Sequence, residues 1–301
     1  MIVAITGSSG LIGTALTKAL RDDGHEVRRV VRSGGDGPDV VRWDPAAGSI
    51  DAGGLAGVDA VVHLAGEGVA EKRWNDEQKA RIKDSRVDGT TVLAKAIAGL
   101  DPKPKVFLSG SAIGFYGDRG DEALTESSTA GHDFLTGVVE AWEAATAPAE
   151  DAGIRTVHLR TGIVLDADGG ALAKQLPLFK LGLGGKLASG KQWTSWISLA
   201  DEVGAIVHLL TSEVAGAVNL TSPTPVTNAE FTATLARVLG RPAFLPIPRF
   251  APAVLLGKEL VETVLYSSAK VVPQVLQDDG YRFHHTTLEE ALRDVLDRPA
   301  A

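Results

Sequence analysis

The sequence contains no cysteine, one methionine and three tyrosines among its 301 residues. Without cysteine there are no disulfides, thiolate zinc sites, iron–sulfur clusters or cysteine nucleophiles. A chain of this length buries roughly three quarters of its unfolded surface, which excludes disorder and small disulfide scaffolds. The tyrosines are Tyr116, Tyr266 and Tyr281, so chemistry that depends on tyrosine has few positions available.

An excess of positive charge and a long apolar run are also missing. The 30 basic residues are outnumbered by 38 acidic ones, for a formal charge of −8, so no basic field favours nucleic acid or anionic lipid. No apolar stretch approaches the ~20 residues that span a bilayer. The opening segment MIVAITG is typical of a strand rather than a signal sequence. These absences predict a soluble cytoplasmic protein that binds neither nucleic acid nor membranes.

The sequence does contain a regular alternation of strand and helix patterns. Short apolar runs, typical of strands buried on both faces, are separated by segments long enough for helices. Such crossovers imply parallel pairing, so we predict an α/β fold with a doubly wound parallel sheet. The predicted strands are 2–6, 26–31, 40–43, 59–64, 105–109 and 154–160, and the predicted helices of this region are 11–20, 74–99 and 133–151.

The alternation loosens after residue 165. Residues 166–196 are rich in glycine and predict loops with one short helix. We therefore predict a sheet domain over 1–165 and a smaller C-terminal lobe over 166–301, with a soft boundary and interleaved lobes. Further helices are predicted at 200–212, 227–240, 250–264 and 287–297.

The segment TGSSGLIG places glycines at 7, 10 and 13, between the first predicted strand and the first predicted helix. Gly7 permits a tight turn, Gly10 lets the backbone approach a pyrophosphate, and Gly13 allows the helix to pack closely on the strand. The helix N-terminus offers free N–H groups to phosphates. An ordinary strand–helix turn is the alternative, but this context favours a dinucleotide site. Its predicted members in this segment are Thr6, Gly7, Ser9, Gly10, Leu11, Ile12 and Gly13.

The end of the second predicted strand indicates which dinucleotide fits. An NAD site carries an acidic residue about 20 residues after the glycines, which holds a ribose hydroxyl. This chain has Val31-Arg32-Ser33 there, and the guanidinium of Arg32 suits a 2′-phosphate. A solvated arginine is the alternative, and it is our interpretation of Arg28 and Arg29. We therefore predict NADP(H) in preference to NAD(H).

These motifs resemble the extended short-chain dehydrogenase/reductase superfamily. More narrowly, the chain resembles a branch of NAD(P)-dependent epimerase-family proteins with an extra C-terminal domain, and the resemblance covers essentially the whole chain. It implies a Rossmann-like dinucleotide-binding domain and a C-terminal lobe on the substrate side. The segments that carry it are TGSSGLIG (6–13), DAVVHLAGE (59–67), GEGVAEKRW (66–74), LSGSAIGFYG (108–117), RTGIVL (160–165), LGLGGKLASG (181–190) and SSAKVVP (267–273).

The resemblance also implies positions for the site. Leu64, Ala65 and Gly66, after the strand predicted at 59–64, line the adenosine and pyrophosphate side of the cofactor. Ser111 matches the Ser or Thr that binds the substrate oxygen beside the nicotinamide. A turn cap is the alternative role for this serine.

Superfamily members use a Tyr-x-x-x-Lys pair on the following helix, where the tyrosine passes a proton as the hydride moves. At the matching positions this chain has Leu135 and Val139. The one Tyr-x-x-x-Lys in the chain runs from Tyr266 to Lys270 and belongs to the segment shared with the branch, so we interpret it as domain-packing sequence. The usual dyad is absent. Tyr116 becomes the second candidate catalytic residue, although its counterpart in relatives often packs beneath the site.

Four residues are candidates for contact with the substrate. Glu67 is a candidate acid or base, and Lys72 and Arg73 are candidates to bind an anionic group. A solvated surface loop is the alternative for all three. Trp196, like Trp193, forms either an apolar wall over the substrate or part of the core.

Two functions follow from these features. The first is an NADP(H)-binding oxidoreductase or epimerase-like protein that acts on a small polar or sugar-like substrate through an atypical proton relay. The second is a non-catalytic NADP(H)-binding sensor or regulator. No G-x-S-x-G elbow, metal-ligand spacing or nucleic-acid-binding motif supports another class. The resemblance leaves a homodimer open, paired through helices 74–99 and 133–151.

Overall fold

The computed structural model describes residues 1–35 and 37–298, so the last three residues of the predicted C-terminal lobe lie outside the described part. The strands are β1 (Ile2–Thr6), β2 (Glu26–Val31), β3 (Val40–Asp44), β4 (Ser49–Ile50), β5 (Ala60–His63), β6 (Val106–Ala112), β7 (Ala123–Leu124), β8 (Arg155–Thr161), β9 (Ile163–Leu165), β10 (Trp193–Thr194), β11 (Trp196–Ser198), β12 (Gly216–Leu220), β13 (Val226–Thr227) and β14 (Lys270–Val271).

The helices of the described residues are α1 (Leu11–Asp22), α2 (Asp76–Ala98), α3 (Phe134–Ala144), α4 (Ala147–Asp151), α5 (Gly170–Lys180), α6 (Leu199–Thr211), α7 (Asn228–Leu239), α8 (Phe250–Leu256), α9 (Lys258–Leu260), α10 (Gln274–Asp278) and α11 (Leu288–Val295). Short 3₁₀ turns lie at Gly53–Leu55 and Ile113–Phe115, and a π-helical turn lies at Val261–Leu265.

The central sheet has eight strands in the order β12-β8-β6-β5-β1-β2-β3-β4. Every neighbouring pair is parallel except β3 and β4. The chain runs outward from β1 through β2 and β3, then crosses back to β5 on the other side of β1. In such sheets ligands bind at the carboxyl edge, beside this switch point. The predicted doubly wound parallel sheet is confirmed.

β1 is almost wholly apolar because helices cover both faces of the sheet at this strand. Val3 and Ile5 pack with Leu16 of α1 on one face, while Ala4 packs with Leu93 of α2 on the other. Successive residues of a strand point to opposite faces, so a strand buried on both sides needs a continuous apolar run. This run is the pattern at residues 2–6.

Two predicted helices are broken. The helix predicted at 133–151 divides into α3 and α4, with Pro148 in the first turn of α4. Proline lacks an N–H donor and fits a first turn far better than a helix interior. The helix predicted at 250–264 is interrupted at Gly257, which has φ +92°.

The predicted C-terminal lobe contributes to the main sheet and also has its own core. β12 pairs with β8 at the edge of the sheet. A separate apolar cluster joins α5, α7 and α11 to β9 and β11. In the part of the chain that the structure describes, no helix is long and apolar enough to cross a membrane. Nor do three or more His, Asp or Glu side chains in that part form a group able to hold a metal ion.

The turn between β1 and α1 gives a stability prediction. A Cβ added at Gly13 lies 2.1 Å from the carbonyl oxygen of Gly7, whereas one added at Gly137 on α3 meets no described atom within 4 Å. We expect Gly13→Ala to lower the free energy of unfolding by about 1–3 kcal/mol through overpacking. Gly137→Ala is the matched control, and we expect it to raise that free energy by up to about 1 kcal/mol, since alanine favours helix. Urea denaturation of both variants is the measurement, and equal effects would contradict the close packing of the turn.

Candidate functional site

The glycine turn brings two loops into backbone contact at the carboxyl edge of the sheet. Gly7 has φ +68°, and a Cβ there would lie 2.8 Å from the carbonyl carbon of Leu64. Ser9 and Gly10 are exposed, and no described side chain caps the N-terminus of α1. The free N–H groups of the first turn, together with the exposed backbone before it, form a cradle suited to a pyrophosphate.

Thr6 holds these loops together from beneath. Its buried hydroxyl accepts hydrogen bonds from the N–H groups of Leu64, at 3.1 Å, and Ala65, at 3.2 Å. It also lies 2.6 Å from Nδ1 of His63. Burial, with a smaller effect from Arg86, lowers the pKa of His63 to about 3, so the ring is neutral and accepts the threonine proton. The side chain of Thr6 positions the turn and is not exposed to a ligand.

The other apolar members of the predicted cofactor site link the turn to its surroundings. Leu11 lies against the loop before α5, where a Cβ at Gly169 would be 2.8 Å from its Cδ1. Ile12 and Leu64 pack on the core on one face of the sheet, and Ala65 packs on the core on the other face. The predicted cofactor residues therefore form one continuous structure between β1, β5 and α1.

Side chains of α2 hold the loop after β5. The N–H of Glu67 donates to Ser85 Oγ at 3.0 Å, and its carboxylate accepts from Gln78 Nε2 at 3.3 Å. Arg86 donates to the Glu67 carbonyl at 2.9 Å and lies against Gly66. Sequence reasoning missed these α2 residues because polar residues on a long helix give no sign of what they contact.

Lys72 and Arg73 lie on the same loop, where it meets the C-terminal region. Both are exposed. The neighbouring Trp74 packs against Phe134, with ring centres 5.1 Å apart, and joins the apolar cluster built around Leu260. The loop is thus anchored by its tryptophan while its two cations are left at the surface.

Arg32 lies at the rim of an open depression of about 410 Å³ between the ends of β2 and β3. Its side chain is exposed and forms no hydrogen bond or ion pair with the residues that the structure describes. The depression is lined by Arg32, Arg42, Trp43, Asp44, Ser49, Ile50 and Asp51.

Ser111, near the end of β6, is held by a carboxylate. Its Oγ donates to Glu143 Oε1 at 2.6 Å. The same carboxylate accepts two hydrogen bonds from Arg160, at 2.8 Å from Nε and 2.9 Å from Nη2. Burial raises the pKa of Glu143, but the hydrogen bonds from Arg160 and Ser111 outweigh it, so the pKa lies below its ordinary value. The single hydroxyl proton of Ser111 is therefore donated to an ionised group, and the Ser111 oxygen retains only accepting capacity.

Two candidate site residues are buried, which favours the alternative stated for each: packing beneath the site for Tyr116 and core for Trp196. Tyr116 is 0% exposed; its hydroxyl donates to Asn219 Oδ1 at 2.7 Å and accepts from Arg160 at 3.2 Å. Trp196 is also 0% exposed, and its indole N–H donates to the Thr224 carbonyl at 3.1 Å. Large rings beside a cleft and large rings beneath it give the same sequence pattern.

The tyrosine and lysine of the C-terminal Tyr-x-x-x-Lys lie in different elements. Tyr266 packs with Leu260 and Val261. It follows the π-helical turn, whereas Lys270 belongs to β14, so the two residues share no helical face. α3 carries Leu135 and Val139 and has neither tyrosine nor lysine.

Comparison with known proteins identifies the family. A model of the NAD dependent epimerase/dehydratase family matches residues 3–221. The chain belongs to this family. A domain of unknown function (DUF1731) matches residues 247–295, which confirms the resemblance to epimerase-family proteins with an extra C-terminal domain.

Relatives of this epimerase-family chain match it over its whole length. Epimerase family protein Mb2239 of Mycobacterium bovis is 43% identical over 99% of this chain and 98% of its own. The crystal structure of human epimerase family protein SDR39U1 with NADPH has a TM-score of 0.90 and 34% identity, covering 99% of this chain and 100% of that one. A nucleoside-diphosphate sugar epimerase from Corynebacterium glutamicum has a TM-score of 0.79 and 38% identity, over 98% of this chain and 58% of that one. These matches confirm the NAD(P)-binding, Rossmann-like fold.

This epimerase-family protein also buries a carboxyl group, Glu202 of α6, beside the end of β8. Its Oε1 accepts from Thr161 Oγ1 at 2.8 Å, and its Oε2 has no partner among the described residues. Burial raises the pKa of Glu202 to about 8, so the group is protonated at neutral pH.

Glu202 makes the stability of the fold depend on pH. An unfolded glutamate loses its proton near pH 4.5, whereas the folded one keeps it to about pH 8. Between these values the folded state binds more protons, so stability falls as pH rises, by about 1.4 kcal/mol per pH unit from this group. We expect Glu202→Gln to remove this slope in urea denaturation between pH 5 and pH 8. Glu140→Gln, at an exposed position of α3, is the control, and an identical pH dependence in both variants would contradict the assignment.

Proposed function

We propose that the protein is an NADP(H)-dependent oxidoreductase of the epimerase family that acts on a small polar or sugar-like substrate without a tyrosine–lysine dyad. The observation that carries the proposal is the exposed Arg32, which pairs with none of the described residues, at the strand end where an NAD site has an acidic residue. The NADPH named for the human relative supports it. When bound, the nicotinamide exchanges a hydride with the substrate.

The residues present fit this cofactor. The exposed backbone of Ser9 and Gly10 and the uncapped start of α1 would receive the pyrophosphate. Gly7 and Gly13 leave no room for a Cβ, which keeps this cradle narrow and rigid. Arg32 would hold the 2′-phosphate by charge-assisted hydrogen bonds.

On the substrate side, Ser111 presents an oxygen that accepts a hydrogen bond, which suits a hydroxyl-bearing substrate such as a sugar. Lys72 and Arg73 are exposed on the loop after β5 and would bind an anionic part of the substrate. The sugar-nucleotide epimerase named among the relatives supports this class.

A non-catalytic NADP(H)-binding sensor is the second candidate function. It is favoured by one observation: α3 lacks both dyad residues, and the nearby Tyr116 is buried and hydrogen-bonded. Both functions require cofactor binding, and only the oxidoreductase requires turnover.

The cofactor proposal predicts that the protein binds NADPH more tightly than NADH. We expect Arg32→Ala to weaken NADPH binding by roughly 10- to 100-fold, since hydrogen bonds to charged groups contribute about 1.5–3 kcal/mol. NADH binding stays unchanged, because NADH has no 2′-phosphate. Arg237→Ala, at an exposed position of α7, is the control. Titration of NADPH fluorescence measures these affinities; equal affinity for both cofactors contradicts the role of Arg32, and no binding of either contradicts both candidate functions.

Turnover separates the two candidates. We expect the protein to oxidise NADPH slowly with a member of a panel of carbonyl compounds and nucleotide sugars, and Ser111→Ala to lower the rate by roughly 100-fold, as is typical for loss of a proton-transfer group. Tyr266→Phe is the control and retains the wild-type rate. Tight NADPH binding without turnover on any compound would favour the sensor.

A further inference from the structure

We infer that Ser111 and Glu143 replace the tyrosine–lysine dyad as the proton relay of the site, and that His158 and Glu150 connect this relay to solvent. The inference rests on the proposed oxidoreductase function. The four side chains come from four elements: Ser111 from β6, Glu143 from α3, Glu150 from α4 and His158 from β8. They run from the carboxyl edge of the sheet to the surface.

The first step joins Ser111 to Glu143. The 2.6 Å hydrogen bond between Ser111 Oγ and Glu143 Oε1 gives the serine proton an ionised acceptor. Arg160 keeps that acceptor in place with two hydrogen bonds and lies on β8 directly opposite Ser111 in the strand register. Ser111 is 5% exposed, and in the proposed relay the second lone pair of its oxygen would accept from a substrate hydroxyl.

The second step joins Glu143 to His158. Nδ1 of His158 lies 3.9 Å from Glu143 Oε2, and on its other side Nε2 lies 2.9 Å from Thr146 Oγ1. The Thr146 hydroxyl lies 2.7 Å from both the Glu143 carbonyl oxygen and Glu150 Oε1, so its one proton is donated to one of these acceptors and its oxygen accepts from Nε2–H. This assigns the proton to Nε2 and leaves the Nδ1 lone pair facing Glu143.

The charges around His158 keep the ring neutral. Burial lowers its pKa, the carboxylates Glu143 of α3 and Glu150 of α4 raise it, and Arg160 of β8 lowers it, with a net decrease. A neutral imidazole can accept a proton at Nδ1 while releasing the one at Nε2. Glu150 completes the path, because its side chain is 47% exposed.

In the oxidising direction, the substrate loses a proton and a hydride by separate routes. The substrate hydroxyl gives its proton to Ser111 Oγ as the serine proton moves to Glu143, and the electron pair of the substrate C–H bond leaves as the hydride to the nicotinamide oxidant. A turn of the Glu143 carboxyl group, against its Arg160 hydrogen bonds, passes the proton to His158 and on to Glu150 and water. Reduction reverses each transfer. The hydrogen bonds from Arg160 to Glu143 must break for this turn, so we predict slow turnover.

The first test needs neither cofactor nor substrate. The measurement is an NMR titration of the His158 ring in the wild-type protein and in Glu143→Gln and Glu150→Gln. The matched controls are Glu140→Gln and Asp151→Asn, both at exposed positions. We expect an Nε2–H tautomer in the wild-type protein and a lower His158 pKa in the two relay variants, because each loses a carboxylate that raises it. The controls leave the pKa unchanged. If Glu143→Gln leaves the His158 pKa unchanged, the two groups do not interact across the 3.9 Å between them, and the relay is overturned.

The second test uses the turnover assay with NADPH. We expect Glu143→Gln to lower kcat by roughly 100-fold while NADPH affinity is unchanged, and Glu150→Gln to shift the pH–rate profile with a smaller loss. Because Glu143→Gln leaves Arg160 without its counter-charge, a second pair of variants repeats the test: Ser111→Ala loses activity, and Ser111→Thr, which keeps the hydroxyl, restores it.

The outcomes distinguish the relay from the proposed function. Wild-type turnover in Glu143→Gln, or equal loss in Ser111→Thr and Ser111→Ala, overturns the relay and leaves the oxidoreductase standing. A further outcome is a wild-type protein that binds NADPH and yet oxidises it no faster than Ser111→Ala does with any compound of the panel. That result overturns the relay as a catalytic device. Failure to bind NADPH overturns the proposed function, whatever the NMR result.

Discussion

The ion pair between Arg160 and Glu143 is the constraint on which the site depends. Arg160 is 5% exposed, so its charge is removed from water and needs a fixed counter-charge and further partners. The Glu143 carboxylate accepts two hydrogen bonds from Arg160, the Tyr116 hydroxyl accepts a third, and the Phe115 ring covers the guanidinium with its centre 3.4 Å from Cζ. Each partner is thereby fixed in place: Glu143 docks α3 on the sheet, and Tyr116 is drawn inside.

The same pair determines what Ser111 is able to do. Had Glu143 been a neutral residue, the serine proton would be available to a substrate carbonyl. Because the carboxylate is ionised and 2.6 Å away, the serine donates inward and accepts outward. A buried contact that stabilises the junction of β6, β8 and α3 therefore also determines that Ser111 accepts, rather than donates, in any further hydrogen bond.

The glycine turn that is proposed to hold the cofactor was predictable from sequence because its geometry depends on the backbone. Where two loops cross with no room for a Cβ, as at Gly7 and Gly13, glycine is required and its spacing is visible in the chain. The apolar runs of the strands, and Arg32 directly after β2, are equally local signals. The substrate end depends on contacts between distant residues, such as the pairing of Glu143 with Arg160, whose partners are set by strand register and helix docking. A signal was present: Arg160 is the last residue of the strand predicted at 154–160, and an arginine that the sheet buries needs a buried partner. The sequence did not say which acid supplies it.

The burial of Tyr116 and Trp196 has one cause. The sequence leaves open whether each ring lines the site or packs in the interior, and each ring carries one polar atom that the interior satisfies. Asn219 is the partner of the tyrosine, and the Thr224 carbonyl is the partner of the tryptophan. An aromatic residue whose polar atom has a buried partner is more stable beneath a cleft than lining it. With both rings in the interior, the proposed relay through Ser111 and Glu143 does not involve them, and in that proposal the hydrogen bonds from Arg160 to Glu143 limit which protons the carboxylate would accept.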